Sequence, residues 1–362
     1  MEMPYKFVVL ILFAISLFAT LCVFFPILKI AKEKNIVDNP EARKLQKTPI
    51  PVMGGVAVFF GVVVGLCFYK TMISYTSLFP VLGAMIIMLY VGCIDDILTI
   101  KPLIRLGIEV LVALMLIYGL KAKISSFQGL FGIDILPFGW SILLSVITFI
   151  GIVNAVNLID GVDGLSSGLC ILALSFLGVI CFLAHQFSFA VLAAVCVGAL
   201  VPFFFFNVFG KKTKMFIGDG GTLMIGTTIF SMVLVILGRG VTFPEAVQLD
   251  FSRIAFVVAV LSVPIADTLR VMVVRICQGR SPFWADNNHM HHILISLGCT
   301  HLQTTMLELL FDLLAIGALF VSWGLGASVG VQLLSVIVTA AVLNWVMAPV
   351  LRRFAAAKKK QR

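Results

Sequence analysis

The chain has 362 residues, 61% of them hydrophobic and only 12% charged, with a mean hydropathy of +1.13. That balance excludes a water-soluble globule and places the protein in lipid. The net charge of +9 fits contact with anionic headgroups and calls for no nucleic-acid partner, while the eight cysteines lie singly, with no C-x-x-C pair, which argues against zinc and against a disulfide framework.

A helix of about 18 to 22 apolar residues crosses a hydrocarbon core roughly 30 Å thick. Eleven such segments are predicted, at about 7–28, 52–69, 78–94, 103–120, 140–158, 165–184, 187–208, 220–238, 254–274, 306–326 and 330–350; the count is ten if the last two, divided only by Gly324 to Gly330, are one. The expected fold class is therefore all-α, a single polytopic membrane bundle over 1–362 with no soluble domain. The first segment is expected to be retained, being too long for a signal peptide and having Leu21 before Cys22 where a lipoprotein site needs a small residue.

Basic residues are retained in short cytoplasmic loops. With the N-terminus outside, the 26 Lys and Arg residues divide 20 to 6 in favour of the inside. This predicts a cytoplasmic C-terminus and cytoplasmic connections at about 29–51, 95–102, 158–164, 209–219 and 275–305. The acidic clusters then all fall on that one side, at helix ends, which marks an enzyme candidate.

Asp95 and Asp96 close the third segment. Carboxylates are costly in a membrane helix, so two together suggest a site. Neighbours on a helix point about 100° apart, so one can face a metal or phosphate while the other has a different role. A solvated helix end before Pro102 is the plainer alternative.

In Asn154-Ala-Val-Asn157-Leu-Ile-Asp160-Gly-Val-Asp163-Gly164, Asn157 with Asp160 and Asp160 with Asp163 share a helical face. The glycines let backbone approach a ligand, although Asp-Gly pairs also form ordinary turns. Next, Lys211, Lys212 and Lys214 precede Phe216-Ile-Gly-Asp219-Gly-Gly, where a new helix offers free amides to phosphate. Asp219 can there carry Mg²⁺, typically held by one or two carboxylates plus substrate oxygens. A capped helix after a basic loop accounts equally well for this segment taken alone.

The last element runs from Gly279-Arg280-Ser-Pro-Phe-Trp284 to Asp286-Asn-Asn-His289-Met-His291-His292. If it is helical, His289 and His292 share a face and His291 turns away. No further soft ligand for zinc is nearby, and with arginines close the cluster suits phosphate. His185 and His301 stand alone and read as structural or incidental. Asp267 with Arg270, and Arg105 with Glu109, read as ion pairs inside their spans.

The ordered motifs DD, NAVNLIDGVDGL, FIGDGG and SPFWADNNHMHH resemble those of the polyprenyl-phosphate N-acetylhexosamine-1-phosphate transferases, with the likeness extending from Lys47 to about His301. The H-x-H-H form and the SPF segment are similar to the WecA/TagO branch, whereas the peptidoglycan translocase MraY carries three consecutive histidines. The resemblance implies transfer of GlcNAc-1-phosphate from UDP-GlcNAc to undecaprenyl phosphate with release of UMP, the first lipid-linked step of cell-envelope polysaccharide synthesis. It further implies an inner-membrane location, Mg²⁺ as cofactor with Mn²⁺ able to replace it, and a homodimer as one possible assembly.

By position, the resemblance makes Asp219 the metal ligand and Phe216 the aromatic that stacks on uracil. It makes Asn157, Asp160 and Asp163 nucleotide-site residues, and Asp95 and Asp96 the pair at the polyprenyl phosphate or metal. Lys47 and Arg275 become basic substrate-site residues, and His289, His291 and His292 face the diphosphate; apart from the resemblance, Arg280 is expected as a further substrate-binding residue and Asp286 as support for the histidine loop. Thr99 stands where several relatives have a third acid, and Trp284 where a small residue is common, which bears on the sugar pocket.

Two other classes fit an eleven-span chain. A secondary transporter places its sites near the midplane on broken helices, whereas these clusters lie at helix ends. An Asp-rich membrane prenyltransferase leaves FIGDGG and HMHH without a role.

Overall fold

The computed structural model describes residues 5–40, 46, 48–68, 78–238, 250–282 and 286–360, and the side chains of all of these but 5 and 355–360. Lys47 and Trp284 lie outside the described residues. The expected all-α bundle is present: fourteen α-helices and one sheet of two two-residue strands among the described residues.

Each predicted span has its counterpart. In chain order these are α1 (Tyr5–Glu33), α2 (Gly54–Cys67), α3 (Phe79–Leu98), α4 (Pro102–Gly119), α5 (Phe138–Leu158), α6 (Leu165–Leu183), α7 (Phe187–Phe209), α8 (Gly218–Ile236), the pair α9 (Arg253–Val260) and α10 (Ser262–Cys277), α12 (His301–Gly324), and α13 (Val329–Ala341) running through a π-turn at Val342–Val346 into α14 (Met347–Lys360). The short α11 (Met290–Ser296) lies between α10 and α12. Among the described residues nine helices are long and apolar enough to cross a membrane unaided. The described part of α2 is shorter, at 14 residues.

The ninth span is broken. α9 and α10 meet at 75°, at Leu261 just before Pro264. Proline lacks the amide that a continuous helix needs, and its ring opposes the carbonyl four residues back, at Val260.

α8 is the centre of the bundle. Of its side chains only Asp219 and Val235 escape burial, and it packs against α2, α3, α5 and α6. A helix that is apolar all round has no solvent face to offer, so it goes to the middle. Its hydroxyls ask for no partners, because Thr227, Thr228 and Ser231 donate to the carbonyls of Leu223, Met224 and Thr227 at 2.8, 3.1 and 2.8 Å. Its first turn is glycine-rich for a steric reason: a β-carbon on Gly92 of α3 would overlap the Asp219–Gly220 peptide. The site-bearing end of α8 is thus clamped against α3.

The strands β1 (Val37–Asp38) and β2 (Ile50–Pro51) pair antiparallel. The chain after β2 then zips onto the loop before α8: Phe216 N–H donates to Pro51 O at 2.8 Å, and Gly54 and Gly55 N–H donate to Phe216 and Ile217 O at 2.9 and 2.8 Å.

One expectation needs correcting. Polar clusters are not confined to helix ends, because Glu308 and Asp312 are fully buried within α12. They sit about 10 and 16 Å along the helix axis from His301.

Candidate active site

The adjacent acids at the end of α3 diverge. Asp95 Oδ1 accepts from Ile100 N–H at 2.7 Å, fixing the turn into α4, and its Oδ2 accepts from Arg105 Nη1 at 3.0 Å. Asp96 turns instead to α8, where its Oδ1 accepts from Asp219 N–H at 3.1 Å. A carboxylate at that position meets the free amides and the positive dipole of the helix start.

Arg105 is the hub. Its Nη1 donates to both Asp95 Oδ2 and Asp219 Oδ2, at 3.0 and 3.1 Å; Nε donates to Glu109 at 3.2 Å, and Nη2 to Asn154 and Asn157 at 3.3 and 3.1 Å. The expected Arg105–Glu109 pair is therefore present, but it is a small part of what Arg105 does. The sequence signal was a guanidinium one turn into an apolar span, costly unless several acceptors take it up.

Asn157 completes the junction, donating to Asp219 Oδ1 and Thr222 Oγ1, both at 2.9 Å. Glu109 Oε2 in turn accepts from Asn154 at 2.8 Å. The Asp219 side chain keeps 34% of its exposure whereas that of Asp95 keeps 13%, so Asp219 is the carboxylate that a ligand meets first.

These residues fit a divalent ion. Oxygens of Asp95 and Asp219 converge on one cationic nitrogen, an arrangement suited to Mg²⁺ with substrate oxygens completing its shell. Among the described residues no three His, Cys, Asp or Glu side chains form a ready-made cage.

The 158–164 loop borders this junction. Asp160 accepts from Ser166 Oγ; burial, aided by the nearby charges of Asp219 and Asp163, pushes its pKa up to about 7. Asp163 goes the other way: burial is outweighed by hydrogen bonds from His301 and Lys214, which hold it below the usual carboxylate range. The contacts are 2.6 Å to Lys214 and 2.9 Å to His301. His301 is thus part of the site and not incidental. It was hidden because its partner lies 138 residues away.

Beside this loop lies a cavity of about 560 Å³, lined by Lys32, Thr48, Gly161, Asp163, Lys211, Lys212, Lys214, Phe216 and His301 among others. Lys214 Nζ stands 5.6 Å from the centre of the Phe216 ring. An aromatic face walled by ammonium groups suits a base attached to phosphates.

The histidine segment closes the far side. The helix there begins only at Met290, with His289 extended as its cap, so the face-sharing expected of His289 and His292 does not arise. Instead the His289 and His291 rings lie nearly parallel at 5.6 Å, and His292 lies 4.5 Å from His291. A β-carbon on Gly161 would meet His291 Nε2 at 2.7 Å, which puts this cluster against the 158–164 loop.

Burial and the neighbouring rings push His291 well below the ordinary histidine value and His292 down to about 4. Neutral imidazoles result near neutral pH. Those two rings therefore bring no standing positive charge to the site.

Asp267 holds this segment, accepting from Arg270 at 2.6 Å and from Met290 N–H at 3.0 Å and meeting His289 Nδ1 at 2.8 Å. Asp286 binds Arg275 through two bonds of 3.0 and 3.1 Å, and accepts from the Asn288 amide side chain at 2.6 Å. Arg275 also donates to Pro282 O at 2.7 Å and is buried, so here it braces the loop. Arg280 is exposed at the surface beyond it.

The comparisons agree with this geometry. The profile of glycosyl transferase family 4 matches residues 78–237, the stretch from α3 to the end of α8. The undecaprenyl-phosphate alpha-N-acetylglucosaminyl 1-phosphate transferase of Escherichia coli (strain K12) is 31% identical over 304 residues, covering 82% of this chain and 78% of that one. The protein of the same description from Salmonella typhi is 30% identical over 305 residues, covering 82% and 78%. The probable undecaprenyl-phosphate N-acetylglucosaminyl 1-phosphate transferase of Bacillus subtilis (strain 168) is 30% identical over 299 residues, covering 82% and 80%. The chain belongs to glycosyl transferase family 4, as a multi-pass membrane enzyme that transfers a sugar 1-phosphate.

Proposed function

We propose that this protein transfers N-acetylglucosamine-1-phosphate from UDP-GlcNAc to undecaprenyl phosphate, giving undecaprenyl-diphosphate-GlcNAc and UMP. The observation that carries the reading is the junction of Asp95, Asp219, Asn157 and Arg105 beside the Phe216 cavity. It puts carboxylates able to hold a metal next to a basic, aromatic nucleotide pocket.

Phe216 stacks on uracil, and the diphosphate runs from Lys211, Lys212 and Lys214 to the histidine cluster, which meets the cavity at Gly161. Mg²⁺ held by Asp95 and Asp219 supplies neutralising charge to that diphosphate when bound. A phosphate oxygen of the lipid attacks the β-phosphorus, the bond from that phosphorus to the oxygen of UMP breaks, and its electron pair leaves with UMP. A phosphate monoester is already mostly ionised near neutral pH, so the attack needs little base assistance. Positioning and electrostatics supply most of the acceleration.

On this reading the two diverging acids have separate roles. Asp95 shares its cation with Asp219 and belongs to the metal, while Asp96 positions the start of α8. Exposed Ile97, Leu98, Leu103 and Ile104 surround this end of α3 and α4, where a polyprenyl phosphate can reach Asp95 from the lipid.

The N-terminus is then outside, with the site facing the cytoplasm of the inner membrane, where UDP-GlcNAc and the lipid headgroup can meet. The test is transfer of labelled sugar phosphate with and without Mg²⁺, in wild type and Asp219→Asn. Loss of metal-dependent UMP release is expected; full activity in the variant refutes the metal assignment, and equal use of UDP-MurNAc-pentapeptide refutes the choice of sugar.

A further inference from the structure

The buried acids of α12 have no part in this reaction. Thr304, Glu308 and Asp312 follow one another at i, i+4 and i+8, so they form one stripe along α12. All three are fully buried, and the stripe faces the break between α9 and α10: Asp312 Oδ1 accepts from Ser262 Oγ and from Val263 N–H at 2.6 and 2.8 Å. It thereby caps the start of α10 from another helix. Its Oδ2 has no hydrogen-bond partner, and neither has either carboxylate oxygen of Glu308 nor the hydroxyl of Thr304. Four oxygens of one helix face are thus buried and unused.

Leaving a buried polar atom unsatisfied costs about 1–3 kcal/mol, more where it is charged. Four such atoms on one stripe call for an explanation, and a bound ion is one that satisfies them together.

The charge balance says what the occupant is. Asp267 and Arg270 on α10 face this stripe, and the three carboxylates Asp267, Glu308 and Asp312 share one buried guanidinium, that of Arg270. Arg270 donates to Asp267 and to Asn288 O through Nη2 while its buried Nε makes no hydrogen bond, and Arg352 donates to Asn288 at the half-exposed rim. Even with a proton on His289, one negative charge is left over inside the bundle. Burial at membrane depth does not tolerate that. A divalent ion is not the natural partner, because its two positive charges would overcompensate the single negative charge left over.

We propose that the Thr304–Glu308–Asp312 face of α12, at the break between α9 and α10, is an intramembrane binding site for one monovalent cation, either a proton or a sodium ion. Both supply a single positive charge to the same oxygens. The occupant ties α12 to the start of α10, whose far end carries Arg275 of the histidine loop.

The test uses the purified full chain in detergent, as wild type, Glu308→Gln and Thr304→Val. Thermal unfolding is followed as NaCl replaces choline chloride at constant ionic strength, and infrared spectra are recorded in the region of protonated carboxyl groups. A sodium site gives a melting temperature that rises with sodium, a half-maximal concentration at least tenfold higher in Thr304→Val, and no rise in Glu308→Gln. A proton site gives no sodium response but a protonated-carboxyl band at neutral pH, lost in Glu308→Gln and displaced in Thr304→Val. Should Glu308→Gln not fold, Thr304→Val keeps every carboxylate and still reports either response. A wild type with neither a sodium response nor a protonated-carboxyl band, or either signal unchanged in Thr304→Val, overturns the proposal.

Discussion

Arg105→Lys isolates what the guanidinium does from what its charge does. Nη1 of Arg105 binds Asp95 and Asp219 together while Nε and Nη2 reach Glu109, Asn154 and Asn157. An ammonium keeps the charge but is a single point on a shorter reach, and cannot serve acceptors on four helices at once. It therefore gives up at least one charge-assisted bond, worth about 1.5–3 kcal/mol. At roughly 1.4 kcal/mol per decade, kcat/KM for UMP release should fall about 10- to 150-fold if that bond holds the reacting carboxylates in place. Arg105→Met removes the charge too and leaves the buried Glu109 without its counter-ion. A stability loss of about 3–5 kcal/mol, read by thermal unfolding, is then expected. An Arg105→Lys enzyme within twofold of wild type in kcat/KM refutes the hub.

The bundle was legible because hydropathy and periodicity report directly on lipid burial. Each of the eleven apolar segments became a helix or a broken pair, and Pro264 sat in the sequence at the break. Three of the four motifs meet directly, Asp95, Asn157 and Asp219 at one guanidinium with Phe216 lining the adjacent cavity, and the fourth touches them where His291 lies against Gly161. What the sequence concealed were contacts made across long separations. Arg105 was paired by spacing with Glu109 because i,i+4 is the relation visible along one helix, whereas its bond to Asp219 spans 114 residues. His301 looked isolated for the same reason. The histidine faces were misjudged on a local matter: periodicity presumes a helix already formed at His289, and that residue is the extended cap. Glu308 and Asp312 passed unnoticed because two acids in a 24-residue apolar helix barely lower its hydropathy.

Three further outcomes follow from named contacts. Gly92→Ala should cost about 1–3 kcal/mol and most of the activity, since the new β-carbon meets rigid backbone at Asp219–Gly220, whereas at Gly83 of the same helix it meets only the tip of Met115 at 3.6 Å, so Gly83→Ala should be neutral or slightly stabilising. Phe216→Ala should raise KM for UDP-GlcNAc by roughly 5- to 150-fold, the worth of one base stacked on an aromatic, about 1–3 kcal/mol, with little change in kcat; an unchanged KM removes uracil from that ring. The third concerns the histidines. In the free protein His292 is pushed down to about 4 by burial and by His289, so at pH 5.5 only about 3% of it carries a proton. A diphosphate laid against the cluster stabilises the charged ring, and a return merely to the ordinary value of about 6.5 would leave roughly nine rings in ten protonated at that pH. UDP-GlcNAc binding should therefore draw in close to one proton at pH 5.5 and only about 0.1 at pH 7.5, and should tighten as the pH falls between them. Calorimetry in buffers of different ionisation enthalpy reads this number as the slope of apparent binding enthalpy. A slope near zero at pH 5.5 means the rings stay neutral with nucleotide bound, and places the diphosphate against the lysines of the cavity and away from the histidines.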